Sequence, residues 1–162
     1  MDGTGRYPWP GGARLAGDAE ILAVVRGRRV VDLGSGGGDL AAAALAAGAA
    51  SVTATDGDPE VVEALSRRFA GTAVLCRRLV WGAATDLRAE IVLGGDVTYR
   101  AAAIPDLFAT IASILRPGGI ALLSDPRRQL EAELPGWAAA AGLICACEPR
   151  PGPYTLIRLT QR

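Results

Sequence analysis

The sequence predicts an α/β protein with a doubly wound, mainly parallel sheet of seven strands that ends in an antiparallel hairpin. Short apolar segments rich in Val, Ile and Leu alternate with helix-like segments, which is typical of parallel βαβ units. A Gly-rich turn follows the first strand segment. The last two strand segments are joined only by PRPGP (149–153). Because a parallel crossover needs about a dozen residues or more, these two strands are expected to form the hairpin.

The first half of the chain is expected to contain an N-terminal arm, then helices and strands in alternation. Residues 1–12 are rich in Gly and Pro and are expected to form the arm. Asp39 is expected to cap an alanine-rich helix, and Asp58 with Pro59 is typical of a helix start. The expected helices span 13–25, Asp39 to near Gly48, and Asp58 to about Ala70, and the expected strands span 28–34, 51–56 and 72–80.

The second half is expected to contain four more strands and two more helices. Residues 116–119, Arg-Pro-Gly-Gly, are typical of a helix end, so a strand should begin after them. Pro135 is expected to disturb a weaker helix over about 130–141. The expected strands span 90–96, 120–125, 143–148 and 154–159, and the stronger helix spans 105–115.

The composition fits one compact domain and argues against several classes of partner. The chain has 162 residues, 50% of them hydrophobic, so we expect a single domain, 1–162, that includes the arm 1–12. The formal net charge of +0 gives no basic excess for binding nucleic acid. Neither a signal-like N-terminus nor an apolar run of about 18 residues is present, so we expect a cytoplasmic protein without a membrane partner, acting as a monomer.

The residue types that are missing restrict the chemistry. The chain has no His, which excludes a Ser-His-Asp triad and a Cys-His pair. The three cysteines, Cys76, Cys145 and Cys147, form no CxxC pair, and the last two have the spacing of neighbours on one face of a strand. We therefore expect three small core thiols in a reducing compartment, and no metal site.

The glycine-rich turn VVDLGSGGGDL (30–40) lies between the first predicted strand and its helix. Its pattern is D-x-G-x-G-x-G, formed by Asp32, Gly34, Gly36 and Gly38. Glycines in such a turn let the backbone approach a ligand closely. A dinucleotide-binding turn has Gly or Ala at its last position, whereas Asp39 stands there and its charge opposes a pyrophosphate. The turn therefore favours a ligand without phosphate.

Two acidic residues lie at the ends of the strands that flank this turn. Asp56 ends the second predicted strand, where its carboxylate can accept hydrogen bonds from a ribose diol. Asp32 lies below the turn, where it can attract a cationic amino group directly or through water. S-adenosylmethionine has a ribose, an ammonium group and no phosphate, so it matches both acids. The structural alternative is a plain glycine turn with the two acids as caps.

A resemblance to a known family rests mainly on LVWGAATDLRAEIVLGGDVTYR (79–100). This stretch contains Trp81-Gly82 after the third predicted strand and Asp96-Val-Thr-Tyr99 after the fourth, and Thr4-Gly5 and Trp9-Pro10 stand near the N-terminus. These residues resemble the family-16 protein methyltransferases of the seven-β-strand class. Within this family the chain particularly resembles the lysine methyltransferases of the electron-transfer-flavoprotein β-subunit, and the segments that carry this likeness are WPGGARLA (9–16), GDVTYR (95–100) and SDPRR (124–128).

The resemblance implies a Rossmann-like class I methyltransferase fold with S-adenosyl-L-methionine as cofactor. It implies that Asp96 and Tyr99 face the substrate amine, and that the activity is N-methylation of a lysine side chain in a protein. With the two acids above and the glycine next to Asp56, the expected cofactor-binding residues are Trp9, Asp32, Gly34, Gly36, Gly38, Asp56, Gly57, Trp81 and Gly95.

The GGD tip of the fourth predicted strand has an expected role in this chemistry. Gly94 and Gly95 are expected to make room for the methionyl end of the cofactor, and Asp96 to project toward the reacting methyl group. The structural alternative is that Asp96 caps a turn and Tyr99 packs on the next helix. Other functions also remain open: methylation of a small amine or hydroxyl metabolite, of a nucleic-acid amino group, or adenosyl binding without catalysis.

Overall fold

The computed structural model of the chain describes residues 10–126, 131–151 and 154–162. Within these ranges the helices are α1 (Pro10–Gly17), α2 (Ala19–Val25), α3 (Asp39–Ala46), α4 (Pro59–Arg68), α5 (Ile104–Ile114) and α6 (Leu134–Ala140), and a short 3₁₀ helix (Ala101–Ala103) precedes α5. The strands are β1 (Arg29–Leu33), β2 (Ser51–Asp56), β3 (Val74–Arg78), β4 (Ala89–Gly95), β5 (Leu115–Asp125), β6 (Leu143–Arg150) and β7 (Tyr154–Gln161).

The seven strands belong to one sheet, in the order β3-β2-β1-β4-β5-β7-β6. The first five strands are parallel to their neighbours, whereas β7 lies antiparallel between β5 and β6. The predicted doubly wound sheet with a C-terminal antiparallel hairpin is therefore confirmed. The strand order reverses at β1, which pairs with β2 on one side and with β4 on the other. The crevice at the carboxyl ends of these strands is where such sheets bind ligands.

Each face of the sheet is covered by a different group of helices. One core packs α1–α4 against the sheet, with Leu15 and Leu65 among its buried residues. The other core packs α5 and α6 against the opposite face, with Phe108 fully buried. Side chains alternate between these faces along each strand, so that Leu122 belongs to the first core and Leu123 to the second. No helix within the described ranges is long and apolar enough to cross a membrane.

The helix predicted over 13–25 is in fact two helices, because Asp18 interrupts it. The Asp18 carboxylate accepts hydrogen bonds from the N–H groups of Glu20 (3.0 Å) and Ile21 (3.4 Å) and so caps α2. The helix α1 begins at Pro10, inside the expected arm 1–12, and residues 1–9 of that arm lie outside the described ranges. The arm prediction is therefore wrong for its last residues.

Helix ends differ from the predictions at two further positions. Asp39 is not the N-cap of α3; Gly38 occupies that position with a φ of 86°, and Asp39 is the first helical residue, where its charge faces the positive end of the helix dipole. Pro135 lies in the first turn of α6, where its missing N–H costs no hydrogen bond, so it begins the helix rather than disturbing it. The predicted cap of α4 is confirmed, since the Asp58 carboxylate accepts the N–H of Glu60 at 2.9 Å.

Strand β5 begins earlier than predicted. Leu115 pairs with Ala89, and regular pairing resumes at Ile120, opposite Ile91. Residues 116–119, expected to precede the strand, therefore form an excursion within β5, in which Gly118 has a φ of 75°. Because the excursion occurs near the start of a parallel strand, it lies at the amino end of the sheet.

The three cysteines are free thiols at the margins of the two cores. Cys76 packs against the α1–α4 core, and Cys145 and Cys147 pack against the other, all three partly buried. Burial raises the pKa of Cys145 to about 12, so its thiol stays protonated near neutral pH. The positions of the three thiols agree with the prediction that they are small residues that pack against the cores.

Candidate active site

The carboxyl ends of the central strands bring several of the predicted cofactor residues to one rim of the sheet. Asp32, Asp56 and Gly95 lie on the α1–α4 face, because the residue two positions before each belongs to the core on that face. Asp32 is in register with Leu93, so Gly95 lies two positions further along β4. Residues from three strands that are distant in sequence therefore line one edge.

The glycine turn after β1 depends on backbone conformations that favour glycine. Gly34, Gly36 and Gly38 have φ values of 63°, 50° and 86°, all in the left-handed region. Close packing adds a second requirement at Gly38, where a Cβ atom would lie 2.8 Å from both Leu65 Cδ2 and Phe69 Cε2. The shape of the turn is thus fixed by its contact with α4 as well as by its own backbone.

Ser35, which was not among the predicted site residues, connects the glycine turn to β2. Its hydroxyl donates to the carbonyl of Asp32 (3.0 Å) and accepts the N–H of Thr55 (3.0 Å), and its N–H donates to the Thr55 carbonyl (2.8 Å). The Thr55 hydroxyl donates to the same Asp32 carbonyl at 2.9 Å. These bonds hold the ends of β1 and β2 together. A hydroxyl residue within the glycine turn was the only signal in the sequence.

Asp56 lies at the end of β2 with its carboxylate directed at the glycine turn. One carboxylate oxygen accepts the N–H of Gly36 at 3.2 Å, and the other accepts the N–H of Asp58 at 3.0 Å. Burial raises the pKa of Asp56, although these two hydrogen bonds oppose that shift. A carboxylate can accept about four hydrogen bonds, so Asp56 can still receive a diol. Gly57 follows it, half-buried, at the start of the loop to α4.

Asp32 is a buried acid whose carboxylate oxygens have no hydrogen bond of good geometry within the described ranges. The residue is 1% exposed, and burial raises the pKa of Asp32 to about 7. The Ser35 hydroxyl and the Ala41 N–H oppose this increase, whereas the charge of Asp56 adds to it. A buried carboxyl group without strong partners is costly for the fold, and a cationic ligand would supply what it lacks.

Trp81 supports the glycine turn from the α5–α6 face. The side chain packs against the core on that face, and a Cβ atom on Gly34 would lie 3.4 Å from Trp81 Cζ2 and 3.0 Å from Val97 Cγ1. The Gly82 N–H donates to the Thr110 hydroxyl on α5 at 2.9 Å. The Trp-Gly pair therefore connects the turn with α5. That the Trp81 side chain contacts the cofactor remains a prediction.

Asp96 has an unusual backbone conformation at the tip of β4. Its φ of 55° is the only positive value at a non-glycine residue in the described ranges, and such a conformation persists where the surrounding structure enforces it. The residue is 5% exposed, and its N–H donates to the carbonyl of Ser124 on β5 at 3.1 Å. Tyr99 is 36% exposed. A buried acid and a more accessible phenol thus follow the same strand.

Gly94 has a different role from the one expected. A Cβ atom at this position would lie 2.9 Å from Leu123 Cδ2 and 2.9 Å from Val97 Cγ2. Val92, two positions earlier, belongs to the α5–α6 core, so Gly94 faces away from the rim that carries Asp32. Its missing side chain accommodates core packing rather than the cofactor, whereas Gly95 remains a predicted cofactor residue.

Thr98 and Asp125 form a buried pair that no motif in the sequence predicts. The Thr98 hydroxyl donates a short hydrogen bond to the Asp125 carboxylate, and the two residues are 0% and 5% exposed. This bond joins the segment after β4 to the end of β5, next to Asp96. The sequence offers only a weak signal for this pair, because Asp125 stands out only as part of SDPRR.

Trp9, another predicted cofactor residue, lies outside the described residues.

Comparisons with known proteins show the family to which the chain belongs. Residues 13–150 match the family described as a methyltransferase domain. The chain is 31% identical over 148 residues to the protein-lysine N-methyltransferase EFM3 of Chaetomium thermophilum, covering 79% of this chain and 44% of that protein. It is 35% identical over 103 residues to the ribosomal protein L11 methyltransferase of Symbiobacterium thermophilum, covering 62% of this chain and 33% of that protein. The chain thus spans less than half the length of these two curated relatives.

A solved structure shares the fold at lower identity. Human N-acetylserotonin methyltransferase in complex with S-adenosylmethionine superposes with a TM-score of 0.72 at 18% identity, covering 93% of this chain and 51% of that one. The family match and the shared sheet topology identify the class of this chain as S-adenosylmethionine-dependent methyltransferases of class I. The chain belongs to the methyltransferase domain family.

The rim fits this cofactor by its own chemistry. The two carboxylate oxygens of Asp32 are buried without a well-formed hydrogen bond, which suits an ammonium group. Asp56, one strand further along the sheet, suits a ribose diol. No phosphate is needed at any of these positions, in agreement with Asp39 at the end of the turn.

The raised pKa of Asp32 predicts that cofactor affinity depends on pH. Between about pH 4 and 7 the folded protein holds a proton on Asp32 that the unfolded chain has released. The contribution of Asp32 to folding stability therefore falls as the pH rises toward 7. Binding the ammonium group of the cofactor requires the deprotonated form of Asp32, so the proton must leave before the cofactor binds. We therefore expect the affinity for S-adenosylhomocysteine to fall below pH 7, by up to about tenfold per pH unit.

Calorimetry from about pH 5.5 to 7.5 checks this expectation, because the limiting slope corresponds to release of one proton. Asp32→Asn cannot titrate at this position and is expected to bind weakly with little pH dependence. A wild-type affinity that stays constant across this range contradicts the assignment of Asp32 to the ammonium group.

Proposed function

We propose that this chain is an N-methyltransferase that modifies a lysine side chain of a protein substrate. The observation that carries the proposal is the position of Asp96, a buried acid at the tip of β4, directly after the predicted cofactor residue Gly95. Two relatives, by their names, methylate proteins, one of them on lysine. The resemblance of residues 79–100 to the family-16 lysine methyltransferases supports the same substrate class.

The arrangement of Asp96 and Tyr99 suits a long, flexible amine. Tyr99 is more than a third exposed, whereas Asp96 is almost fully buried. An extended lysine side chain can therefore pass Tyr99 with its alkyl stem and place its amino group at Asp96. An acid at the inner end of this path favours a cationic group over a neutral hydroxyl.

Asp96 is proposed to capture and orient the substrate rather than to act as a simple base. Free lysine has a pKa of about 10.4, and a nearby carboxylate raises it further by stabilising the cation. S-adenosylmethionine supplies an electrophilic methyl group that a neutral amine accepts by in-line displacement, so the amine must lose its proton first. We propose that this proton leaves to water while Asp96 holds the nitrogen in line. Positioning of this kind can lower a barrier by about 7–11 kcal/mol.

The Thr98–Asp125 pair is proposed to hold Asp96 in its left-handed conformation. The Asp96 N–H is bonded to β5 on one side, and Thr98, two residues later, is bonded to the end of the same strand. Two attachments to β5 over three residues leave the intervening backbone little freedom. The pair therefore acts on the substrate through Asp96 and does not itself touch the amine.

The proposal is tested by incubating the protein with a cell lysate and S-adenosylmethionine labelled on its methyl group. We expect the label in the protein fraction and, after acid hydrolysis, in methylated lysine. Label confined to small molecules would favour the alternative of a small amine or hydroxyl substrate. Label in nucleic acid, or cofactor binding without any transfer, would contradict the proposal.

A further inference from the structure

A buried serine hydroxyl next to the rim has no partner in the site described so far. Ser124, near the end of β5, is 0% exposed, and its Oγ has no hydrogen-bond partner among the residues that the structure describes. Most buried polar side chains are hydrogen-bonded, and a group left unbonded costs a fold about 1–3 kcal/mol. Its place beside the predicted cofactor residues makes a bound ligand the natural partner.

The Ser124 side chain lies on the same face of the sheet as the cofactor acids. Leu122 belongs to the α1–α4 core and Leu123 to the opposite one, so alternation places Ser124 on the α1–α4 face. Ser124 is in register with Gly95 on β4. Because Gly95 has no side chain, β4 leaves the space beside Ser124 open, whereas the Leu93 side chain lies beside Asp32 on the same face.

Asp32 and Ser124 are the two ends of a gap of suitable size. They lie on β1 and β5, which are separated by β4, and Ser124 is two positions further toward the carboxyl ends than Asp32, so their backbones are about 12 Å apart. Within the described ranges, the carboxylate oxygens of Asp32 and the Ser124 hydroxyl are buried without a well-formed hydrogen bond. An amino-acid group places its ammonium nitrogen and carboxylate oxygen about 3 Å apart, and one hydrogen bond at each end adds about 3 Å, for a total of roughly 9 Å.

The order of groups along the rim matches the order of groups in the cofactor. Asp56 on β2 suits the ribose, Asp32 on β1 suits the ammonium group, and Ser124 on β5 comes next across β4. We propose that the Ser124 hydroxyl donates a hydrogen bond to the α-carboxylate of the cofactor's methionyl end, which makes Ser124 a cofactor-binding residue. The inference concerns cofactor binding alone, so its failure leaves the proposed acceptor untouched.

Calorimetry with two ligands tests this assignment on the full chain. The ligands are S-adenosylhomocysteine and its decarboxylated derivative, which keeps the ammonium group but lacks the carboxylate. Ser124→Ala is expected to weaken S-adenosylhomocysteine binding about 10- to 100-fold, the usual range for a hydrogen bond to a charged group. Affinity for the decarboxylated ligand is expected to stay within about twofold of wild type, because that ligand has nothing for Ser124 to bind.

Control variants separate this role from a structural one. Ser113→Ala removes an exposed hydroxyl that bonds within α5 and should change neither affinity. Asp32→Asn should weaken both ligands, because both keep the ammonium group. Ser124→Ala without ligand is expected to unfold at the same or a higher temperature, since an unbonded buried hydroxyl is removed.

Two results would overturn the assignment. One is an unchanged affinity of Ser124→Ala for S-adenosylhomocysteine, and the other is an equal loss for the two ligands, which indicates a general disturbance of the rim. If the alanine variant does not fold, Ser124→Cys keeps a similar volume with a much weaker donor, and the same comparison of ligands decides.

Discussion

Replacing Asp96 with Asn is expected to lower kcat by about 10²- to 10³-fold, the loss typical for removal of one group that stabilises a reacting centre. Asn tolerates the left-handed conformation that Asp96 adopts, with its φ of 55°, so the backbone should be unchanged. Ala at the same position would add backbone strain of about 1–3 kcal/mol, so the fall in activity would no longer report on the carboxylate alone. Asn therefore tests the role of the carboxylate without adding backbone strain.

Steady-state kinetics with the methyl acceptor, together with calorimetry of S-adenosylhomocysteine, checks this expectation. Cofactor affinity should stay within about twofold of wild type, because the proposed role of Asp96 concerns the acceptor. Asp86→Asn is a matched control, since Asp86 is an exposed acid in a surface ion pair with Arg77 and should be dispensable. Full activity of Asp96→Asn would remove the acid from the proposed mechanism.

A methyl group added at Gly38 is expected to destabilise the protein by about 2–5 kcal/mol and to abolish most cofactor binding. Gly38→Ala introduces two faults at once. Its φ of 86° is unfavourable for alanine, and the new Cβ would lie 2.8 Å from Leu65 and Phe69 side chains on the adjacent α4 region. Leu65 and Phe69 are buried and have little room to shift, so we expect the turn to move away from α4, which displaces the backbone that is predicted to face the ligand.

The neighbouring Gly37→Ala is the control for this prediction. Gly37 is exposed, its φ is not positive, and the nearest atom to an added Cβ is Arg68 Nη1 at 3.9 Å. Its stability is expected to change by less than about 1 kcal/mol, since an alanine that fits also reduces the freedom of the unfolded chain. Chemical denaturation compares the two variants. Equal behaviour of both would show that the turn is not fixed by its contact with α4.

The sheet was predictable because its signals are local. Apolar segments of strand length alternate with helical segments, and the five residues between the last two strands allow only a hairpin. The caps were less predictable, because several polar residues compete for each helix end. Asp18 divides a helix whose apolar spacing runs on without a break, and Gly38 takes the cap position that Asp39 was expected to fill.

The polar contacts of the rim were beyond the sequence because they join distant segments. Asp32 and Asp56 were found, since each stands at the end of a clear strand. The burial of Asp32 without a strong partner depends on helices packed over it, and the Thr98–Asp125 bond spans 27 positions along the chain. Ser124 gave no signal, because a serine near a strand end is common and only its burial distinguishes it.

The excursion at 116–119 gives this molecule a convenient attachment point. It lies at the amino end of the strands, so the length of the strands separates it from the rim that carries Asp32 and Asp96. Pro117 and Gly118 are exposed, and a Cβ atom on Gly118 would meet nothing within 4 Å. A fluorescent dye, an affinity tag or a surface linker placed between Pro117 and Gly118 leaves the rim at the carboxyl ends of the strands open to solution.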